Sequence, residues 1–117
     1  MTESTHPPGK TTIAPEVLVT IARLTALSVP GVSRLATTPS EMERFFNCSS
    51  SEGIKIAVEN ELFYADIYVI LQSEVNVREV SRAIQSQVAR AISEMVGMEV
   101  GKINVHVEDI DYSSTQS

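Results

Sequence analysis

A chain of 117 residues with 43% hydrophobic content has the length of one domain and enough apolar side chain for one ordinary core. Its formal charge of −6 supplies no overall basic footprint of the kind that nonspecific binding to nucleic acid or anionic lipid uses. The single cysteine, Cys48, excludes an intrachain disulfide and a thiolate-rich zinc site.

Residues 1–9 are polar, contain Pro7-Pro8, and lack the basic start and apolar run of a secretion signal. They read as a flexible arm, and residues 111–117 as a flexible tail, around one domain at 10–110. No run of ~18 apolar residues occurs, so no membrane-spanning helix is expected. The chain reads as cytoplasmic, reaching a membrane only through a partner.

Lys10 to Ala14 is expected as a short strand with Ile13 inward. Pro15 suits a first helical position, and Glu16 the helix's positive end. Val17, Leu18, Ile21, Ala22, Leu24 and Leu27 then form a broad apolar stripe, ended by Val29-Pro30-Gly31. Val32 to Ala36 is expected as a brief strand. Ser40 and Glu43, ahead of Phe45 and Phe46, suggest one helical turn. Asn47 to Gly53 reads as a serine-rich, flexible turn region.

In Ile54 to Glu59, Ile54, Ile56 and Val58 alternate with Lys55, Ala57 and Glu59. In the next strand Phe63, Ala65, Ile67, Val69 and Leu71 alternate with Leu62, Tyr64, Asp66, Tyr68 and Ile70. The short link Asn60-Glu61 implies an antiparallel hairpin. Asn76 and Glu79 form a capping-box pair for a second helix carrying Val77, Val80, Ile84, Val88, Ala91, Ile92 and Met95 on one face. Gly97 supplies its left-handed exit. In a last strand, Ile103, Val105 and Val107 oppose Lys102, Asn104, His106 and Glu108. The order strand, helix, three strands, helix, strand predicts an α+β two-layer sandwich, with two main helices on one face of a mainly antiparallel sheet of about five strands.

No residue pattern calls for catalysis. His106, the lone histidine of the expected fold, faces outward without a partner set by sequence spacing, and His6 lies in the arm. Cys48 sits in a polar loop without a glycine-rich nest or a nearby histidine. Glu108, Asp109 and Asp111 cluster after the last strand, where a solvated strand end competes with a hard-cation site. Gly97 and Gly101 read as turn residues without a phosphate-loop lysine. Arg78 and Arg82 share a face of the second helix and Arg90 follows, but Glu79 and Glu94 dilute any basic patch, and single-strand binders stack bases on aromatics beside positive charge.

The outward sheet face is the leading interaction surface: Tyr64, Tyr68 and Ile70, with Leu62 and Asp66, joined by Asn104 and His106 from the last strand. Either another protein or the chain's own N-terminal or 37–53 segment covers it. No cofactor is called for.

The stretch Gly9-Lys10-Thr11-Thr12-Ile13-Ala14-Pro15-Glu16-Val17-Leu18, then Ile21-Ala22 and Val29-Pro30-Gly31-Val32, resembles the opening of the alkaline shock protein family of bacterial general-stress and envelope-stress proteins. Ala83-Ile84-Gln85, Val88, Met95-Val96-Gly97-Met98 and Ile103 to Val107 resemble its closing signature. The chain departs from that pattern between Thr37 and Gly53 and at Ser73-Glu74, a turn often carrying glycine. The resemblance implies a small cytoplasmic protein without catalysis that forms homo-oligomers, with a separate small membrane-anchor protein as a second partner in some members. A small nucleic-acid-binding α+β domain is the alternative; it lacks the glycine-clamped backbone loop between two helices.

Overall fold

Pro15 opens the first helix, α1 (Pro15–Ser28), in a computed structural model that describes residues 12–37, 48–51 and 53–112. After α1 come β1 (Val32–Leu35), β2 (Cys48–Ser51), β3 (Ile54–Glu59), β4 (Leu62–Gln72), α2 (Val77–Ala91) and β5 (Glu99–Asp111). Both helices pack on one face of a five-stranded sheet, which is the expected α+β sandwich. Four of the five expected strands are present. Residues 12–14 are not in a strand, so the expected first strand at 10–14 is not borne out; residues 10 and 11 lie outside the described residues. The fifth strand is instead β2, formed in the segment read as a serine-rich turn, because four successive residues find ladder partners in β3, from Cys48 opposite Ala57 to Ser51 opposite Ile54. The helical turn expected near Phe45 lies outside the described residues.

β4 organises the sheet. One edge pairs along its length with β5, in parallel, since α2 carries the chain back across the sheet before β5 begins. Its other edge takes two antiparallel neighbours end to end: β3 opposite 62–67, β1 opposite 69–71. The seam between them falls at Tyr68, whose N–H donates to the Gly53 carbonyl (2.8 Å) and whose carbonyl accepts from the Ala36 N–H (2.8 Å). Gly53 has a positive φ of 83°, and a Cβ there would lie 2.4 Å from Leu35 Cβ, so the two strand ends abut only because this position is glycine.

The hairpin between β3 and β4 turns on Asn60 and Glu61, both with positive φ (53° and 66°), matching the two-residue turns that suit strand twist. Glu74 also has a positive φ, 67°, in the turn at Ser73-Glu74. Asn76 caps α2 by accepting the Glu79 N–H at 3.1 Å. A π-helical turn, Ile92–Val96, extends α2, and Gly97, at φ 78°, closes it.

The core joins Leu18, Val19, Ala22 and Ala26 of α1, Val80, Ile84 and Val88 of α2 with Ile92 beyond it, and the inward row Phe63, Ala65, Ile67, Val69 and Leu71 of β4. The strand rows fall on the expected faces. The helix stripes are narrower than expected: Val17, Leu24 and Leu27 on α1, Val77 on α2 and Met95 in the turn beyond it are exposed. Four large side chains of the second helical segment are buried, contributing roughly 6–12 kcal/mol before chain entropy is charged.

Candidate functional site on the outer sheet face

The helix-free face of the sheet carries the site, and strand register fixes its layout. On that face, Tyr64 of β4 lies between Ala57 and Lys102, Asp66 between Lys55 and Asn104, and Ile70 between Arg34 and Asp109; Tyr68 sits beside His106. Leu62 marks one end, opposite Glu59 and Glu99. Leu62, Tyr64, Asp66, Tyr68, Ile70 and His106 are all half-buried.

Asp66 is the hub. Its Oδ1 accepts from Asn104 Nδ2 at 3.1 Å and pairs with His106 Nε2 at 3.0 Å. Since a carboxylate only accepts, this contact places a proton on Nε2 of His106. The His106 ring in turn stacks on Tyr68, with centroids 4.5 Å apart and planes 13° from parallel. One carboxylate therefore sets the imidazole, and the imidazole sets the tyrosine. Burial first, then the negative charges of Asp66 and Glu108, push the Tyr68 hydroxyl above its ordinary value of 10.

Sequence spacing sets no partner for His106 and leaves it exposed, whereas the fold makes it half-buried and gives it two partners. The reason is the parallel pairing of β4 with β5, which brings residues far apart in sequence side by side at a register that sequence spacing does not state. Gly101, expected as a turn residue, lies inside β5 at a bulge opposite the step from Phe63 to Tyr64. Alternation puts Lys55 with the outward residues of its strand, yet it is 3% exposed. That corner of the face is covered, whereas the row from Tyr64 to Ile70 is half-open.

The acidic residues near the chain end do not converge. Glu108 lies at the second bulge of β5, the Asp109 carboxylate accepts the Ile110 N–H at 2.8 Å, and Asp111 turns to β1. Among the described residues no three His, Cys, Asp or Glu side chains are grouped to hold a metal ion. Arg78, Arg82 and Arg90 are exposed, and Arg90 is paired with Glu94 at 3.1 Å. Among the described residues no helix is long and apolar enough to cross a membrane. His6 lies outside them, and so do any contacts of the N-terminal arm with the face.

Residues 3–112 match the sequence model of the alkaline shock protein 23 family, described as having a cell envelope-related function. The chain belongs to that family. Among relatives of the family member, the Streptococcus pyogenes protein Spy1535 is 36% identical over 104 residues, spanning 87% of this chain and 79% of the relative. Bacillus subtilis YqhY is 27% identical over 114 residues, spanning 96% and 84%. Both bear names that describe them as uncharacterised. Among solved structures, the copper form of MamM CTD superposes with a TM-score of 0.59 at 16% identity, covering 83% of this chain and 87% of that one. The W247A variant of MamM CTD does so at 0.52 and 16%, covering 86% and 85%. At such identities the likeness is one of fold.

Proposed function

We propose that this alkaline shock family protein is a noncatalytic module of the envelope stress response that works by binding other proteins through the outer face of its sheet. The partners in this reading are a second copy of the chain and a small membrane-anchor protein, which would bring a cytoplasmic chain to the envelope. The observation that carries it is the Asp66–His106–Tyr68 arrangement. A tyrosine held rigid by a stacked, hydrogen-bonded histidine loses little side-chain entropy on docking, and it offers apolar area with a polar tip. Tyr64 and Ile70 extend the same row, with Leu62 at its end. His106 commits Nε2 to Asp66 and a ring face to Tyr68, an orienting role that needs no turnover.

The nucleic-acid alternative has the aromatics but no basic footprint around them: Lys55, Lys102 and Arg34 on this face stand among Asp66 and Asp109, with Glu108 beside it, and Arg34 is paired with Asp111. The test is the double variant Tyr64→Ser/Tyr68→Ser. It should keep its circular dichroism and unfold cooperatively, yet show a lower weight-average mass than the wild type by sedimentation across a concentration series. Identical masses at every concentration would remove this face from consideration. Salt-sensitive binding of a single-stranded oligonucleotide at physiological ionic strength would favour the alternative.

A further inference from the structure

Helix α1 carries a second apolar face that the core does not use. Leu18, Val19, Ala22 and Ala26 point into the molecule. On the far side Val17 is 46% exposed, Leu24 55% and Leu27 39%, and Ile13, just ahead of the helix, is 36% exposed. At 3.6 residues per turn Val17, Leu24 and Leu27 fall on one stripe, with half-buried Ile21 along its border and Thr20 in its middle. Single exposed apolar residues are ordinary, but a continuous row along a helix is a contact surface.

The sequence of the row says what fits it. Ile13 and Leu27, Val17 and Leu24, and Glu16 and Arg23 are three pairs, each centred on Thr20 to within half a residue. A two-fold axis at Thr20, perpendicular to the helix, turns the row onto itself in the antiparallel sense. Leu24 then meets Val17 of the other copy, and Leu27 reaches the start of its α1, just ahead of which Ile13 lies. Glu16 and Arg23 lie two turns apart on one border of the stripe. In an antiparallel pair that border faces the same border of the second copy, so each Glu16 comes level with the other copy's Arg23. Neither residue makes an ion pair among the described residues. The small side chain of Thr20 at the crossing point lets the helices approach closely.

We infer that the exposed row of α1 is a self-complementary docking surface for α1 of a second copy, packed antiparallel about Thr20. It lies on the helix layer, away from the sheet face, so it goes beyond the sheet-face reading and does not depend on it. One molecule then presents a surface for a second copy on the helix layer, in addition to the protein-binding sheet face on the opposite layer.

The charge border gives the sharpest test, in the full-length chain. In sedimentation equilibrium Glu16→Lys and Arg23→Glu should each raise the dimer dissociation constant about tenfold, because each sets like charges opposite one another at both ends. The double variant Glu16→Lys/Arg23→Glu should restore it. Leu24→Glu should abolish the pair while leaving the unfolding transition in place, since that side chain is outside the core. In a Cys48→Ser background Thr20→Cys should oxidise to a covalent dimer, and it should still do so when Tyr64 and Tyr68 are serine. A wild-type chain that stays monomeric at every concentration overturns the inference. So does a charge swap that fails to rescue, or a Leu24→Glu variant that associates as the wild type does. If association survives Leu24→Glu but vanishes in the tyrosine variant, the sheet face alone joins the copies and α1 does not.

Discussion

Tyr64 lies over Gly101 so closely that a Cβ on the glycine would come within 2.6 Å of the tyrosine Cε2 and 2.7 Å of its Cζ. The ring of one strand thus covers the bare backbone of the bulge in the next, shielding a weak point of β5 while being held in place itself. Gly101→Ala should force the ring aside. Because the clash is with the free end of a rotatable side chain, the fold should absorb it at about 1 kcal/mol of stability. The ring resonances of Tyr64 should shift in proton NMR, and binding through the outer face should weaken more than stability falls. An unchanged Tyr64 spectrum would mean that the contact does not hold in solution.

Tyr68 gives the outer face a titration signature. Its hydroxyl is raised above 10 by burial, then by Asp66 and Glu108. The folded chain therefore holds this proton more tightly than the unfolded chain. The stability that follows is whole below pH 10 and is lost as pH climbs through the raised folded value. Asp66→Asn removes one of the two charges. A tyrosinate absorbance titration at alkaline pH should then show the transition of Tyr68 moving down toward its ordinary value but not reaching it, because burial, the larger cause, persists. A transition that does not move would separate Asp66 from Tyr68 electrostatically.

How the sequence announces these features differs from element to element. The β3–β4 hairpin and the inward row from Phe63 to Leu71 were legible because period-two alternation and a two-residue link are local signals. The stripe of α1 was harder. Val17, Leu24 and Leu27 are as apolar as Leu18, and periodicity alone does not say which of two apolar faces meets the sheet. A run of serines carries no strand pattern of its own, so β2 shows only in its pairing with β3. On the outer face, Tyr64, Tyr68, Ile70, Leu62 and His106 could be placed together from alternation. That Asp66 joins Asn104 and His106 could not, because it rests on the parallel register of β4 and β5, shifted at two bulges.

Asn76 is a local signal that the fold honours. Its side chain accepts the Glu79 N–H at 3.1 Å, satisfying one of the donors that the first turn of α2 leaves unpaired. Asn76→Ala should lower stability by about 1 kcal/mol, and Asn76→Asp by much less, read from urea midpoints with an unchanged slope. Equal losses in both variants would show that the residue matters for something other than its capping oxygen.

Asp111 is where composition and structure part most sharply at the chain end. Polar residues from 111 onward resemble a solvated tail, yet β5 runs through Asp111. Its Oδ2 accepts from Ser33 Oγ at 2.6 Å and from an Arg34 guanidinium N–H at 3.1 Å. The carboxylate thus ties the last strand to β1 across the end of β4, joining residues 78 positions apart. The two bonds should not count equally. The Asp111 side chain is 15% exposed while that of Arg34 is 59% exposed, so the ion pair is screened and contributes well under 1 kcal/mol. The short bond from Ser33 is better shielded. Asp111→Ala should therefore lower stability by about 1–2 kcal/mol, Ser33→Ala by about 1, and Arg34→Ala by less than 0.5. Denaturant unfolding of the three variants and of Ser33→Ala/Asp111→Ala gives the coupling directly. If Arg34→Ala proves as costly as Asp111→Ala, the clasp is electrostatic and high salt should open it. If the order holds, salt should leave it closed.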